Sequence, residues 1–410
     1  MLDWQSTSIV IAAFLLASLL CLIAISLNQE SAVGHSSLGG IRQLFSPDGA
    51  DVGTLLADRA RPNQRLVRAF GITNTFVSPH PSVHRSFVTA ARSLLSRANK
   101  RGWGTFRDIS TQAIHVELSL ARSGSVNYGI FIQAVTLRVI LVGLLGANVP
   151  MEDFSPDDIY TAASHINKLW SLSKDPSPIP SHLLPELNDA LRRLLPDITT
   201  FPNPVDIVIP AWETFWRVVA TTVAYSHNSK AITQLFLDFY AYPTDNAFRE
   251  ANADANISPK NVVEESMRLQ PPSKHIARKT IRPSLSKLPK PIANLLVRFL
   301  PRISWVKHYA DVQAVLRSPA IWGSNSLEFN PWRHNQDPSS TLPSRAEALG
   351  YIFGGGNLRC IGSSWAPVAA AVVASAVFDA VDRGVCSIVP GRAVGGRNGW
   401  EDWSVTDTKN

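Results

Sequence analysis

The hydrophobic positions of this 410-residue chain recur mostly at three- and four-residue spacing, the period of a helix with one buried face. His84–Arg101, HRSFVTAARSLLSRANKR, sets such positions against a basic opposite face. Asp157–Leu172 and His182–Leu195 read the same way, separated by the proline-broken loop SKDPSPIPS. Ile207–Tyr225 and Trp365–Arg383 are long and mostly apolar, which predicts helices buried on several sides. Val262–Leu269 is a further helix, stopped by Pro271 and Pro272. Segments with a period of two are few and short. Ser273–Pro301, broken by prolines, predicts short strands and turns, and the weakly periodic residues 30–65 predict a linker. No internal repeat is visible. The pattern as a whole is mainly α with a small β component.

Two apolar runs have the length of a bilayer crossing. Ser8–Leu27 carries no charge, and about twenty apolar residues suffice for a spanning helix. No Lys or Arg precedes it, and it is longer than the apolar stretch of a cleaved signal. Arg42, Arg59, Arg61, Arg65 and Arg68 follow with fewer acids, which places the C-terminal bulk in the cytosol. The expectation is a single-pass membrane anchor over residues 1–30, with its helix at about 8–27. The second run, Tyr128–Gly146, holds Gln133 and Arg138 near its middle. An arginine inside a bilayer is costly without a partner, so this run is expected to be a core helix.

Charge narrows the partners. The formal net charge is +7 and the pI is near 9.4, but the basic residues are spread without a tight run. An acidic protein or a membrane face fits this better than nucleic acid. The three cysteines, Cys21, Cys360 and Cys386, are odd in number and match no zinc spacing, so neither a disulfide framework nor a zinc site is expected. Cys21 and Cys386 lie in apolar segments and read as small hydrophobes.

Cys360 stands in FGGGNLRCIG, Phe353–Gly362. A lone cysteine is most often structural. A nucleophile would need a histidine base nearby, and no protease-like or transferase-like signature surrounds it. The glycines fit neither phosphate-loop template, because no Gly-Lys-Ser/Thr follows and no third glycine has the dinucleotide spacing. A thiolate metal ligand explains more. Gly354, Gly355, Gly356 and Gly362 leave the backbone open, so that N–H groups can point at sulfur and a flat cofactor can approach. A helix beginning at about Ser363 would favour the thiolate through its N-terminal dipole, and Phe353 would supply an apolar wall. These features suit an axial thiolate on haem iron.

FGGGNLRCIG resembles the cysteine-ligand loop of the cytochrome P-450 superfamily, Phe-x-x-Gly-x-Arg-x-Cys-x-Gly. Phe353, Gly356, Cys360 and Gly362 match, while Leu358 occupies the arginine slot and Arg359 comes one residue late. Upstream, and in the family's order, EESMRLQPP contains Glu265-x-x-Arg268, WGSNSLEF resembles a Trp-Gly-x-x-Ala/Ser-x-x-Phe run, and FNPWR ends at Arg333. IPAWETFWRVVA, from Ile209, is similar to the oxygen-activating groove of the family's central helix, with Ala211, Glu213 and Thr214 on the small, acidic and threonine positions. The resemblance runs from about residue 84 to the C-terminus and is strongest over Ile209–Val389.

The resemblance implies a cytochrome P-450-like fold and a haem b held by the Cys360 thiolate, with Phe353, Gly356, Arg359 and Gly362 around it. It implies a buried structural triad of Glu265, Arg268 and Arg333. Thr214 and Glu213 would serve dioxygen and proton delivery, and His84 or Arg85 would meet a haem propionate. The basic face of the same helix (Arg92, Arg97, Lys100, Arg101) could receive an acidic reductase, and no flavin- or NADPH-binding segment is visible in the chain. The implied protein is a monooxygenase of the fungal microsomal type, anchored in the endoplasmic reticulum. Its catalytic domain over 31–410 is shortened before the central helix. It would oxidise a lipophilic small molecule with dioxygen and electrons from an NADPH-dependent reductase, in secondary-metabolite biosynthesis. Two alternatives stay open: a membrane-anchored haem-binding or degenerate member without oxygenase activity, and a haem-thiolate enzyme that isomerises or dehydrates.

Overall fold

The computed structural model describes residues 32–120, 124–282, 304–335 and 342–408, with positions 289 and 291. The expected anchor at 8–27, and Cys21 with it, lies outside the described residues. Along the chain come β1 (Ala32–His35), α1 (Leu38–Phe45), α2 (Val52–Phe70), α3 (Pro81–Ser119), β2 (Ser125–Asn127) and α4 (Tyr128–Val139). The middle holds α5 (Pro156–Leu172), α6 (Leu183–Leu194), α7 (Val205–Trp212), α8 (Phe215–Ser226), α9 (Lys230–Ala241), α10 (Asp245–Arg249) and α11 (Pro259–Leu269). Then follow β3 (His275–Ile281), β4 (Trp305–Asp311), α12 (Val312–Leu316), α13 (Pro319–Trp322), α14 (Leu342–Gly350), α15 (Ala366–Asp382), β5 (Cys386–Val389) and β6 (Ser404–Asp407).

Helix α15 forms the centre of the core. Its alanines and valines are buried from Pro367 through Phe378, and the small side chains let α3, α8, α9 and α11 pack closely around it. The two sheets are small. In one, β4 pairs parallel with β1 and antiparallel with β3; in the other, β6 lies antiparallel between β2 and β5. Cys386 is buried in β5, as a small hydrophobe should be.

The expected linker over 30–65 is, from Ala32 on, folded chain. Ser37 caps α1 by accepting from the Gly40 N–H at 3.2 Å, and Asp51 caps α2 by accepting from the Thr54 N–H at 2.7 Å. Glycines in α1 and Pro62 inside α2 blur the periodicity that would have revealed them. Helix α3 runs well past Arg101, with one non-helical residue, Gly102, at φ 79°. The central apolar stretch is two helices rather than one: a turn at Glu213–Thr214 separates α7 from α8, and Pro210 removes one backbone donor just before it.

The run Tyr128–Gly146 is a core helix, as expected. Among the described residues it is the one helix long and apolar enough to cross a membrane, but most of it is buried inside the protein. Arg138, fully buried, donates to Glu117 at 2.5 Å and to the Met151 carbonyl at 3.0 Å, and Tyr160 donates to the same carboxylate at 2.8 Å. This partnering makes an interior arginine tolerable.

Candidate functional site

The cysteine loop is built from three short 3-10 turns: Tyr351–Phe353, Gly356–Leu358 and Ile361–Ser363. The Cys360 N–H donates to the Phe353 carbonyl at 2.8 Å and closes the loop. Gly356 has a φ of +60°, and a Cβ there would lie 2.7 Å from the Phe45 carbonyl and collide with the Ser46 hydroxyl. A Cβ on Gly355 would sit 2.7 Å from the Phe45 ring. The end of α1 therefore backs the loop, which is a second reason, beyond cofactor access, for glycine at both positions. Gly356→Ala is expected to lower stability by about 1–3 kcal/mol, through left-handed strain and the clash with α1. A fall in the thermal midpoint followed by circular dichroism checks it.

Cys360 itself is exposed, and a Cβ on Gly362 would meet nothing nearer than its sulfur, at 3.8 Å. Protein crowds the sides of the thiol and pushes its pKa up, while the Gly362 N–H and Arg359 pull it down. The accessible surface is what decides whether a ligand can reach the sulfur, and that surface is open. Helix α15 starts at Ala366, later than the expected Ser363, so its dipole does not dominate the thiol. Behind the loop, Trp365 packs on Trp103, Phe106 and Phe215 at ring separations of 5.8, 5.3 and 6.4 Å. Phe215 follows Thr214, so two aromatic side chains connect the break in the central helix to the cysteine loop.

Beside the loop lies a basic cluster that no local sequence pattern announces. Arg278 on β3 lies over the Phe45 ring at 5.5 Å, and Arg59 on α2 over the Phe76 ring at 5.4 Å. Both are buried, and neither Nε has a partner among the described residues. Burial, with Arg278 nearby, pulls Arg59 down to about 9; burial pulls Arg278 down to about 10 against the opposing influence of Asp58. Asp58 is itself bound to Arg61 at 2.6 Å. Arg59 donates to Thr75 Oγ1 at 2.5 Å, and that hydroxyl meets His84 Nδ1 at 2.8 Å. His84, lowered by burial and by Arg59, therefore belongs to this cluster. Its sequence neighbour Arg85, about 100° further round the helix, is exposed, and Arg359 is exposed on the loop.

Glu265, Arg268 and Arg333 come together in the interior. Arg268 grips both oxygens of Glu265 at 2.8 Å, and Arg333 Nε donates to Oε1 at 2.9 Å. The Asn330 N–H and His334 Nε2 complete the shell at 2.9 and 3.0 Å. The arginines spend their other donors on the carbonyls of Leu316, Ser326, Glu328, Trp322 and Asn325. One buried carboxylate thus pins α11 to the segment that leads toward the cysteine loop. Burial alone would raise its pKa, but the hydrogen bonds from Arg268 and His334 outweigh it and hold Glu265 near about 2.

On the central helix, Glu213 is buried and pairs with Arg217 at 2.9 Å and with Arg397 from the C-terminal segment. Thr214 is half-buried at the helix break, and Ala211 lies one turn earlier. These two positions are not grouped with the buried Glu265 network.

No family model matches the chain, and no curated protein does. Solved structures do match it. CYP175A1 from Thermus thermophilus superposes with a TM-score of 0.59 at 13% identity, covering 92% of this chain and 89% of that one. The heme domain of a cytochrome P450DA mutant gives a TM-score of 0.56 at 14% identity, over 90% and 92% of the two chains. A six-coordinated cytochrome P450, also from Thermus thermophilus, gives 0.51 at 14%, over 85% and 91%. At such low identity the likeness speaks for the arrangement of elements alone, and it is consistent over nearly the whole length. The chain has the cytochrome P450 fold.

Proposed function

We propose that the chain is a haem-thiolate monooxygenase acting on a lipophilic small molecule, with electrons supplied by a separate NADPH-dependent reductase. The observation that carries this reading is the exposed Cys360 on its glycine-lined loop, flanked by two buried guanidiniums whose Nε atoms have no partner among the described residues. The site fits a haem: the loop offers sulfur without a Cβ in the way, and the orphaned Nε atoms of Arg59 and Arg278 offer donors for carboxylates. Arg59, Arg278 and His84 would hold the propionates, with Arg59 and Arg278 taking over from the arginine that Leu358 replaces. Phe353 and Gly356 shape the loop, Gly362 clears the approach to sulfur, and Arg359 adds positive charge near it.

A haem bound through the Cys360 thiolate supplies dioxygen activation and O–O cleavage. Loading displaces the Cys360 proton, because the thiolate is the ligand. Thr214, at the break between α7 and α8, offers a half-buried hydroxyl that would pass a proton to oxygen bound at the site. Glu213 is engaged by Arg217 and Arg397, so its share in proton delivery requires the Arg397 pair to open. The apolar run at 8–27, followed by arginines, supports an enzyme of the microsomal type, anchored in the endoplasmic reticulum membrane with its catalytic part in the cytosol. Thr214→Ala in the loaded enzyme is expected to lower product formed per NADPH consumed by about tenfold or more. An unchanged ratio, measured with a reductase and any turned-over substrate, contradicts the role.

A further inference from the structure

Positive charge from four parts of the fold gathers around Arg397, which binds Glu213. Arg397 and Arg217 both bind its carboxylate, each with a side chain only 12% exposed. Arg397 also donates to Asn167 Oδ1 on α5 at 2.7 Å and lies over the Trp170 ring at 5.3 Å. Arg65, from α2, lies over the same ring at 5.1 Å and donates to the Ser173 hydroxyl. Lys174 follows Ser173 in sequence and reaches solvent. Two cations therefore bind one carboxylate, Arg65 and Lys174 add their charge beside Arg397, and neither of these two is ion-paired among the described residues. The nearby Asp175 carboxylate accepts from the Ser177 N–H and hydroxyl at 2.9 and 2.7 Å and makes no ion pair with Arg65, Lys174 or Arg397 among the described residues.

This excess is unfavourable for the protein alone. Burial holds Arg397 and Arg217 down at about 10, and Arg65 adds to the effect on Arg397. Lys174 is lowered by the protein around it and then by Arg397, Arg65, Arg217 and Lys274. An anion seated between Arg65, Lys174 and Arg397 would relieve the repulsion and gain charge-assisted hydrogen bonds. Trp170, with Phe70 at 6.3 Å, provides an apolar wall beside that position.

We infer that this cluster binds the carboxylate of a lipophilic acid, at the edge of the central helix beside Glu213. The inference rests on the monooxygenase reading only in treating that acid as the substrate. Calorimetric titration of the full chain with decanoate, below its micellar concentration, and with methyl decanoate tests the site without turnover. Decanoate is expected to bind about tenfold or more tightly than the ester. Arg65→Gln and Lys174→Gln should each weaken decanoate binding by up to about tenfold and leave the ester unaffected, while Arg65→Lys restores most of the loss. Lys174 reaches solvent, so its variant keeps the test open if Arg65→Gln fails to fold. Equal affinity for acid and ester, or variants that weaken both alike, overturns the inference. Acid selectivity in a protein that shows no haem-thiolate spectrum would retain the site and overturn the oxygenase reading instead.

Discussion

Glu265→Leu is expected to destabilise the fold by about 3–5 kcal/mol, because it leaves Arg268 and Arg333 as uncompensated charges in a dry interior. Three side chains and a backbone N–H converge on that carboxylate, and it is fully buried. The same group predicts a pH dependence. Its folded-state pKa is near about 2 against an ordinary 4.5, so it is depressed. A depressed carboxyl contributes stability that is fully present above 4.5 and is lost as pH falls toward about 2. The shift corresponds to about 3 kcal/mol. Urea unfolding of the wild type should weaken over that acid window, and the variant should lack this part of the slope. Matching slopes in the two proteins would contradict the assignment.

Cys360→Ser is the second large effect expected. It leaves the loop's shape nearly intact, since the Cys360 N–H still closes the turn on the Phe353 carbonyl and a serine hydroxyl can accept from the Gly362 N–H as the sulfur does. It removes the soft donor. Haem affinity should fall by more than the roughly 10–100-fold that loss of an outer-shell partner costs. Haem content per folded chain, after reconstitution, reads the result. Retention equal to the wild type would mean that some other group holds the cofactor.

The parts of this molecule legible in its sequence are those whose signal is local. Helices α5, α6, α11 and α15 stand within a few residues of where apolar spacing puts them, because each buries one face or nearly all faces. The Tyr128–Gly146 run was readable as core from Arg138 alone, since a cation inside an apolar helix demands a protein partner. The glycine-framed Cys360 loop is local as well. Other features were invisible for physical reasons. Arg59 and Arg278 meet only in three dimensions, on helix and strand far apart in the chain, and neither carries a pattern of its own. Helices α1 and α2 hide behind glycines and Pro62, which lower helix propensity while capping and packing still form the helices. His84 and Arg85 are adjacent, but helical geometry turns one toward the cluster and the other outward. The excess of cations around Arg397 comes from α2, the turn after α5, α8 and the C-terminal segment together.

The central claim is that Cys360 presents a thiolate to haem iron. The most direct measurement is the absorption spectrum of the haem-loaded, dithionite-reduced protein under carbon monoxide. The account predicts a band at about 450 nm that disappears in Cys360→Ser. A folded, haem-loaded wild-type protein that lacks this band, or a band that survives the substitution, contradicts it.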